Sequence, residues 1–380
     1  MTKEEILKRR ELAHGLISIN SNFDIRNKED LSQLYTPGVS TVCKEVEHYP
    51  NSVRKLTSTG NSIAVITDGT AVLGLGNIGT LAGFPIVEAK ALVYNQLAGV
   101  NAIPLCVDQV DRDELVKTIK NIAHSFSGIH LEDIKAPECF YIEDMLKKEL
   151  DIPVYHDDQH GTAIAVLAAL YNASKIVNKK FDELKVTLLG AGASGIATAR
   201  LLKEAGIKYI VLVDKNGALI EGDKGLNKPQ REIAKITNPD KISGPIENVI
   251  KGSDVFIGLS EGNVLNFDMV NSMNKDAIVF ALANPIPEID PEIAKEAGAK
   301  IIATGGPSYP NQINNILVFP GLFKGLLESD AKDVNYEVMI EIAKKLASLV
   351  KEPKEDKIIP GVFEGNIVDE ISETVKLYFK

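Results

Sequence analysis

The stretch KVTLLGAGASGIATARLLKEAG (185–206) leaves the chain few options. A short apolar strand pattern, VTLL, runs into three glycines, and a helix pattern leaves them at once. A second strand pattern, YIVLVD, ends on Asp214, 24 residues after Gly190. Strand, glycine turn, helix and returning strand make a parallel βαβ unit. In such a unit Gly190, Ala191, Gly192, Ala193, Ser194, Gly195 and Ile196 bring a helix N-terminus to the strand end, where the backbone can approach a pyrophosphate. Asp214 is then placed to accept from ribose hydroxyls. A merely tight strand-to-helix turn is the other reading of the same glycines.

The rest of the chain repeats the alternation. Strand patterns DVFIGL, AIVFALAN and AKIIATG extend the second unit. Upstream, SIAVITDG, TAVLGLGNIG, NAIPLCVD, GIHLEDIK and IPVYHDD alternate with the helix patterns FPIVEAKALVYNQLAG (84–99), DRDELVKTIKNIAHSF and APECFYIEDMLKKEL, Pro85 falling near a first turn. The first 30 residues read as helix and then polar loop, and the last 70 as mainly helical. The fold class is therefore α/β, with a parallel-sheet N-terminal domain (1–160), a Rossmann-type doubly wound domain (161–310) and a C-terminal helical segment (311–380) packing on both. The junction NKKFDELK marks where the second set of strands begins.

A net charge of −10 argues against general nucleic-acid binding, which needs a basic face. Cys43, Cys106 and Cys139 form no C-x-x-C pair, which fits a reducing cytoplasm. No run of 18 apolar residues occurs, so a soluble cytoplasmic protein with no membrane partner is expected.

A second glycine pattern, GLGNIG (74–79), has a different context. Gly83, Phe84 and Pro85 interrupt the expected helix, and the next strand-end acid, Asp108, lies 34 residues after Gly74. It reads as a substrate-side or structural loop, leaving one nicotinamide site.

Carboxylates gather at strand ends: Glu132 and Asp133 in HLEDIK, and Asp158 in HDDQH. Gathered in space they repel unless a hard divalent cation, Mg²⁺ or Mn²⁺, neutralises them. Helix caps or solvated loop charges are the plainer alternative. His156 and His160 stand four apart as in the zinc motif H-E-x-x-H, but Asp157 replaces the glutamate and a strand precedes the pair. Lys90, on an apolar helix, either snorkels to solvent or is a buried base. Tyr35, beside Thr-Pro-Gly, is either a packed ring or a proton donor. Asn284 ends a strand pattern, and Asn314 and Asn315 follow the last one after GGPSYP; amides there can bind a carboxylate or carboxamide, or simply form turns.

Taken in order, LYTPGV, ITDGTAVLGLGNIG, GFPIVEAKA, LAGVNAIPLCVD, LEDIKAPECFYIE, HDDQHGTAIAV, LLGAGASGIA, FALANPIPEI and NNILVFPG resemble the malic enzymes in their short bacterial and archaeal form. The resemblance implies oxidative decarboxylation of (S)-malate to pyruvate and CO₂ with NAD or NADP and Mg²⁺ or Mn²⁺. It implies Glu132, Asp133 and Asp158 as metal ligands, Lys90 as the base helped by Asp157, and Tyr35 as the acid that protonates C3. It also implies Asn284, Asn314 and Asn315 at the substrate, with Asn284 shared with the cofactor, and a homodimer with N-terminal segments exchanged. Asp214 favours NAD, although Lys215 beside it offsets part of the repulsion toward a 2′-phosphate. Larger members carry an arginine where Ala71 stands here. Malolactic conversion with bound NAD, a non-catalytic NAD(H)-sensing module and a metal hydrolase are the competing functions.

Overall fold

The computed structural model describes residues 2–72 and 74–380. The first sheet contains β1 (Ser62–Thr67), β2 (Asn101–Cys106), β3 (Ile129–Leu131) and β4 (Val154–His156), all parallel, in the order β2-β1-β3-β4. The second contains β5 (Lys185–Leu189), β6 (Tyr209–Asp214), β7 (Gly217–Ala218), β8 (Val255–Gly258), β9 (Ala277–Ala281) and β10 (Ala299–Thr304). Its order is β10-β9-β8-β5-β6-β7, and only β7 runs antiparallel to its neighbour. Helices cover these strands, which explains their unbroken apolar runs: every residue of SIAVIT and AIVFA is buried. The strand order reverses between β5 and β8, the crevice where open parallel sheets take ligands.

The Asp157–Ile176 helix leaves β4 without a loop and joins the two sheets. It packs against the Ala193–Glu204 helix of the second sheet and the C-terminal Tyr336–Ser348 helix. One apolar core therefore extends from Ile63 in β1 through Leu167 to Leu188 in β5. The Phe319–Ser329 helix lies close on the Ile367–Tyr378 helix, because a Cβ on Gly321 or Gly325 would sit 2.8 or 2.6 Å from Ile371 or Val375. The N-terminal helices Lys3–Ala13, Lys28–Leu34 and Gly38–His48 contain no buried residue.

Two expectations are corrected. TAVLGLGNIG, in which Leu73 lies outside the described residues, is a looped turn with one antiparallel bridge, Val72 to Gly76. Gly74, Gly76 and Gly79 hold φ of 69°, 70° and 83°, outside the strand region, so an apolar run that reads as β folds back on itself. The next helix begins at Thr80, earlier than the sequence suggests, so Pro85 lies inside Thr80–Val93 rather than in its first turn. The helix ends in a π-helical turn, Tyr94–Ala98.

Gly325→Val should destabilise the protein by about 2 kcal/mol, because two methyl groups would enter the helix contact. A urea-unfolding midpoint equal to that of the parent would refute this packing.

Candidate active site

Strand register builds the acidic site. Leu131 in β3 lies opposite His156 in β4. The next residues on each strand, Glu132 and Asp133 on one side and Asp157 and Asp158 on the other, leave the sheet together. Ligating oxygens of Glu132, Asp133 and Asp158 all lie within 4.8 Å of one another. Asp158 Oδ2 accepts the Asp133 N–H at 2.8 Å. Asp133 holds a left-handed backbone (φ 55°), which turns its carboxylate toward the others.

The adjacent aspartates are separated by their partners. Asp157 is fully buried and forms an ion pair with Lys90 from the Thr80–Val93 helix, while Asp158 keeps 29% of its side chain exposed. Lys90 Nζ also lies 3.1 Å from Glu132 and 4.5 Å from the centroid of the Phe319 ring. Gly161 makes this possible: a Cβ there would overlap Asp157 Oδ1 one helical turn away.

The electrostatics follow from burial. Desolvation, then Glu132 and Asp158, push the Asp133 carboxyl up to about 9. Desolvation and then Glu132 raise Asp158 to about 6. For Lys90, burial works downward, but Asp157, Glu132 and Asp158 outweigh it and hold the ammonium above its ordinary range. Three oxygen donors gathered out of water, each reluctant to ionise beside the others, fit a small hard divalent cation.

His130, Glu132 and Asp157 form a second cluster of candidate ligand atoms, but the Lys90 ammonium already bridges Glu132 and Asp157. Nor do His156 and His160 form a zinc pair. His156 is buried at the end of β4, and His160 Nε2 bonds Glu143 Oε1 at 2.8 Å.

Several supporting residues are missed by the sequence pattern. Fully buried His130 places Nε2 2.7 Å from Glu132 Oε2 and Nδ1 2.8 Å from the Tyr94 hydroxyl. Burial depresses its pKa to about 3, so the ring is neutral. An ionised Glu132 can only accept, so Nε2 carries the hydrogen and Tyr94 donates to Nδ1. Glu143 receives hydrogen bonds from Gln159 and His160 and an ion pair from Lys147, which pins the first turn of the Asp157 helix. Glu288 accepts from the backbone N–H groups of Ser260 and Ala283, tying together the ends of β8 and β9.

The site opens into a cavity of about 320 Å³ between the sheets, lined by Lys90, Glu132, Asp133 and Asp158 on one side and Ser194, Asn284, Asn314 and Asn315 on the other. Lys90 is the only cation among its described lining residues. Gly74 lines it too, 2.5 Å from Asn284 O at its would-be Cβ, so the first glycine loop touches the second domain. Asn314 caps a short turn through Ile316 N at 2.9 Å. Tyr35 does not line the cavity; it lies 64% exposed in the N-terminal segment.

The second glycine loop has the expected geometry. Gly190 has φ 114°, and a Cβ there would strike Leu259 O. A Cβ on Gly195 would strike Gly190 O, whereas Gly192, at the head of the Ala193–Glu204 helix, faces open space. A tight turn, an open approach and a close helix contact are the three tasks such glycines perform, with Ala191, Ala193 and Ile196 completing the turn. Asp214 ends β6, with Oδ1 bonded to Asn216 N at 2.7 Å and Oδ2 3.4 Å from Gln230 Nε2.

Comparison with known proteins places the chain among relatives of one family. The family profile of the malic enzyme NAD-binding domain matches residues 159–377, and that of the malic enzyme N-terminal domain matches residues 17–112. The NAD-dependent malic enzyme of Geobacillus stearothermophilus is 48% identical over 363 residues, covering 95% of this chain and 76% of that protein. The bifunctional malic/malolactic enzyme of Bacillus subtilis is 46% identical, covering 98% of this chain and 92% of its own. The crystal structure of the NAD-dependent malic enzyme from Thermotoga maritima aligns with a TM-score of 0.94 at 41% identity, over 97% of this chain and 98% of that one. Further relatives are named for NADP. No helix among the described residues is long and apolar enough to cross a membrane.

His130→Leu should weaken Mn²⁺ binding about ten- to a hundred-fold, since Glu132 loses the donor that orients it. A Mn²⁺ titration giving parental affinity would contradict that role. Burial alone would raise Glu143, but His160 and Lys147 hold it below its ordinary 4.5. Its stabilising contribution is therefore complete above that value and lost as pH falls below it. Unfolding measured from pH 6 downward should show this loss, and Glu143→Gln should flatten the acid limb; an unchanged limb would exclude it.

Proposed function

The chain belongs to the malic enzyme family, and on that premise we propose how its own residues carry out the reaction. The protein converts (S)-malate to pyruvate and CO₂ while reducing a nicotinamide dinucleotide. The observation that carries this reading is the convergence of Lys90, backed by buried Asp157, and the three clustered carboxylates on one cavity, facing the glycine loop and the asparagines.

Glu132, Asp133 and Asp158 hold Mg²⁺ or Mn²⁺. When bound, that ion supplies a Lewis acid for the substrate oxygens and the nicotinamide supplies a hydride acceptor. Lys90, an ammonium beside Asp157 and Glu132, first passes a proton to Asp157 and then, as the neutral amine, takes the proton of the C2 hydroxyl, the neighbouring carboxylates stabilising the charge it regains. His130 and Tyr94 fix the Glu132 carboxylate. Asn284, Asn314 and Asn315 orient substrate and carboxamide through neutral amides. Ala71 stands where larger relatives have an arginine and no arginine is among the described residues lining the cavity, so the second carboxylate of malate also falls to neutral donors. The cavity, closed by the Asp157 helix behind it, limits water at the reacting carbon.

Tyr35 returns the proton to C3. It does so in a homodimer whose N-terminal segments are exchanged. Support comes from the segment itself: Leu12, Ile19 and Phe23 are 73%, 94% and 67% exposed, an apolar surface that a second copy would cover. Asp214, held by Asn216 and Gln230, selects NAD over NADP by accepting from the ribose diol and repelling a 2′-phosphate. The free state of Cys43, Cys106 and Cys139 accords with a cytoplasmic setting.

Protein supplied with malate, Mn²⁺ and NAD⁺ should form pyruvate and reduced nicotinamide in equal amounts, with higher kcat/KM for NAD than for NADP. Lys90→Ala should lower kcat about 10³-fold with NAD binding retained. Absence of pyruvate with both coenzymes would end this reading. The Bacillus subtilis relative, named for malic and malolactic activity, favours one second reading, and lactate in place of pyruvate in the same assay would identify it.

A further inference from the structure

A second cavity, of about 380 Å³, lies on the other side of the Asp157 helix. The helical repeat accounts for this: Asp158 and Thr162 face the active site, whereas Gln159 and His160, a third to half a turn round, face the second cavity. Its walls include the Arg112–Ile122 and Glu138–Glu149 helices of the first domain, the Ala193–Glu204 and Lys228–Ala234 helices beside the second sheet, and the C-terminal Tyr336–Ser348 helix. The volume is in the range of small-molecule sites.

The charges around it are unevenly committed. Lys147 is paired with Glu143 at 2.9 Å and Arg200 with Glu232 at 3.2 Å. Asp144 is the one further carboxylate. Arg112 and Lys228 have no carboxylate partner among the described residues. Arg112 instead lies over the Tyr141 ring, 4.1 Å from its centroid, which leaves the edges of its guanidinium free to bind an oxyanion as a fork. One free cation belongs to each domain, and Phe140, Tyr141, Tyr336 and Met339 give the same cavity an apolar, largely aromatic wall.

We propose that this interdomain cavity is a regulatory site for a small phosphate ester, whose dianion bridges Arg112 and Lys228 while its organic group rests on the aromatic wall. The inner wall gives the site access to catalysis. Glu143, 3% exposed, holds Gln159 and His160 at 2.9 and 2.8 Å, in the same helical turn as Asp157 and Asp158. A ligand that ties the two domains together across this turn fixes both walls of the active-site cavity. Binding here is independent of coenzyme and divalent ion; only its effect on turnover rests on the activity proposed above.

Phenyl phosphate is a suitable probe, because its ring fits the wall and saturating NAD⁺ keeps it from the glycine loop. Calorimetric titration of NAD⁺-saturated, metal-free protein should give saturable binding at one site per chain. Arg112→Ala and Lys228→Ala should each weaken it about ten-fold or more while leaving the Kd for NAD⁺ unchanged. Inorganic phosphate should bind more weakly than the ester. In steady-state assays phenyl phosphate should shift the KM for malate in the parent and not in the double variant. Absence of saturable binding, equal binding by both variants, or binding seen only without NAD⁺ would overturn the site. Binding with malate kinetics unchanged would overturn its regulatory role.

Discussion

Mutual repulsion among clustered carboxylates, three of them buried and Asp158 partly so, is the constraint on which the rest of this molecule depends. Glu132, Asp133, Asp157 and Asp158 face a single ammonium, Lys90. No loop would hold four such groups together unaided, since each is stabler in water. The chain holds them by register instead. β3 and β4 are adjacent parallel strands, and pairing of Leu131 with His156 delivers two acids from each strand to the same end of the sheet. The fully buried strands cannot slip without exposing an apolar run, so the sheet's hydrophobic burial fixes the electrostatics of the site.

The Asp157–Ile176 helix extends that rigidity into the second domain. It begins with two of the four acids, and it ends packed between the helices of the second sheet and the C-terminus. Its placement is over-determined at the first turn, where Lys90 holds Asp157 from one side and Glu143 holds Gln159 and His160 from the other. The domain that carries the acids and the domain that carries the glycine loop thus share one element. Contact of Gly74 with the Asn284 backbone closes the opposite edge of the cavity.

Much of this was legible in the sequence, and the exceptions have a common cause. β5, β6, β8, β9 and β10 are largely apolar runs, and each lies within the stretch where the pattern put it, β9 stopping at Ala281 before the end of AIVFALAN. The acids were legible because two carboxylates at a strand end are conspicuous when they occur twice. TAVLGLGNIG misled because its apolar residues read as β while its glycines, at positive φ, decide the backbone. Tyr94 and Glu143 left no trace because their significance lies in contacts between residues 16 to 36 positions apart, whereas His130, two residues before Glu132 and so on the same side of the strand, left a signal that only its burial makes decisive. Tyr35 could be singled out from its neighbours in sequence, but its position on an arm with no buried residue in its helices depends on what that arm packs against.

The charge balance of the cavity also sets the order of events. A dicarboxylate arriving at a site of four carboxylates and one ammonium meets net repulsion, eased to the extent that burial favours the protonated forms of Glu132, Asp133 and Asp158. Neutral asparagines on the opposite wall can orient such a substrate but cannot offset that charge. An arginine at position 71 would have offered attraction independent of any ion; Ala71 offers none. On the function proposed above, substrate affinity in this chain is therefore tied to the occupancy of the acidic cluster by a cation, and the residues that shape that cluster, His130 and Tyr94 included, govern malate binding without touching malate.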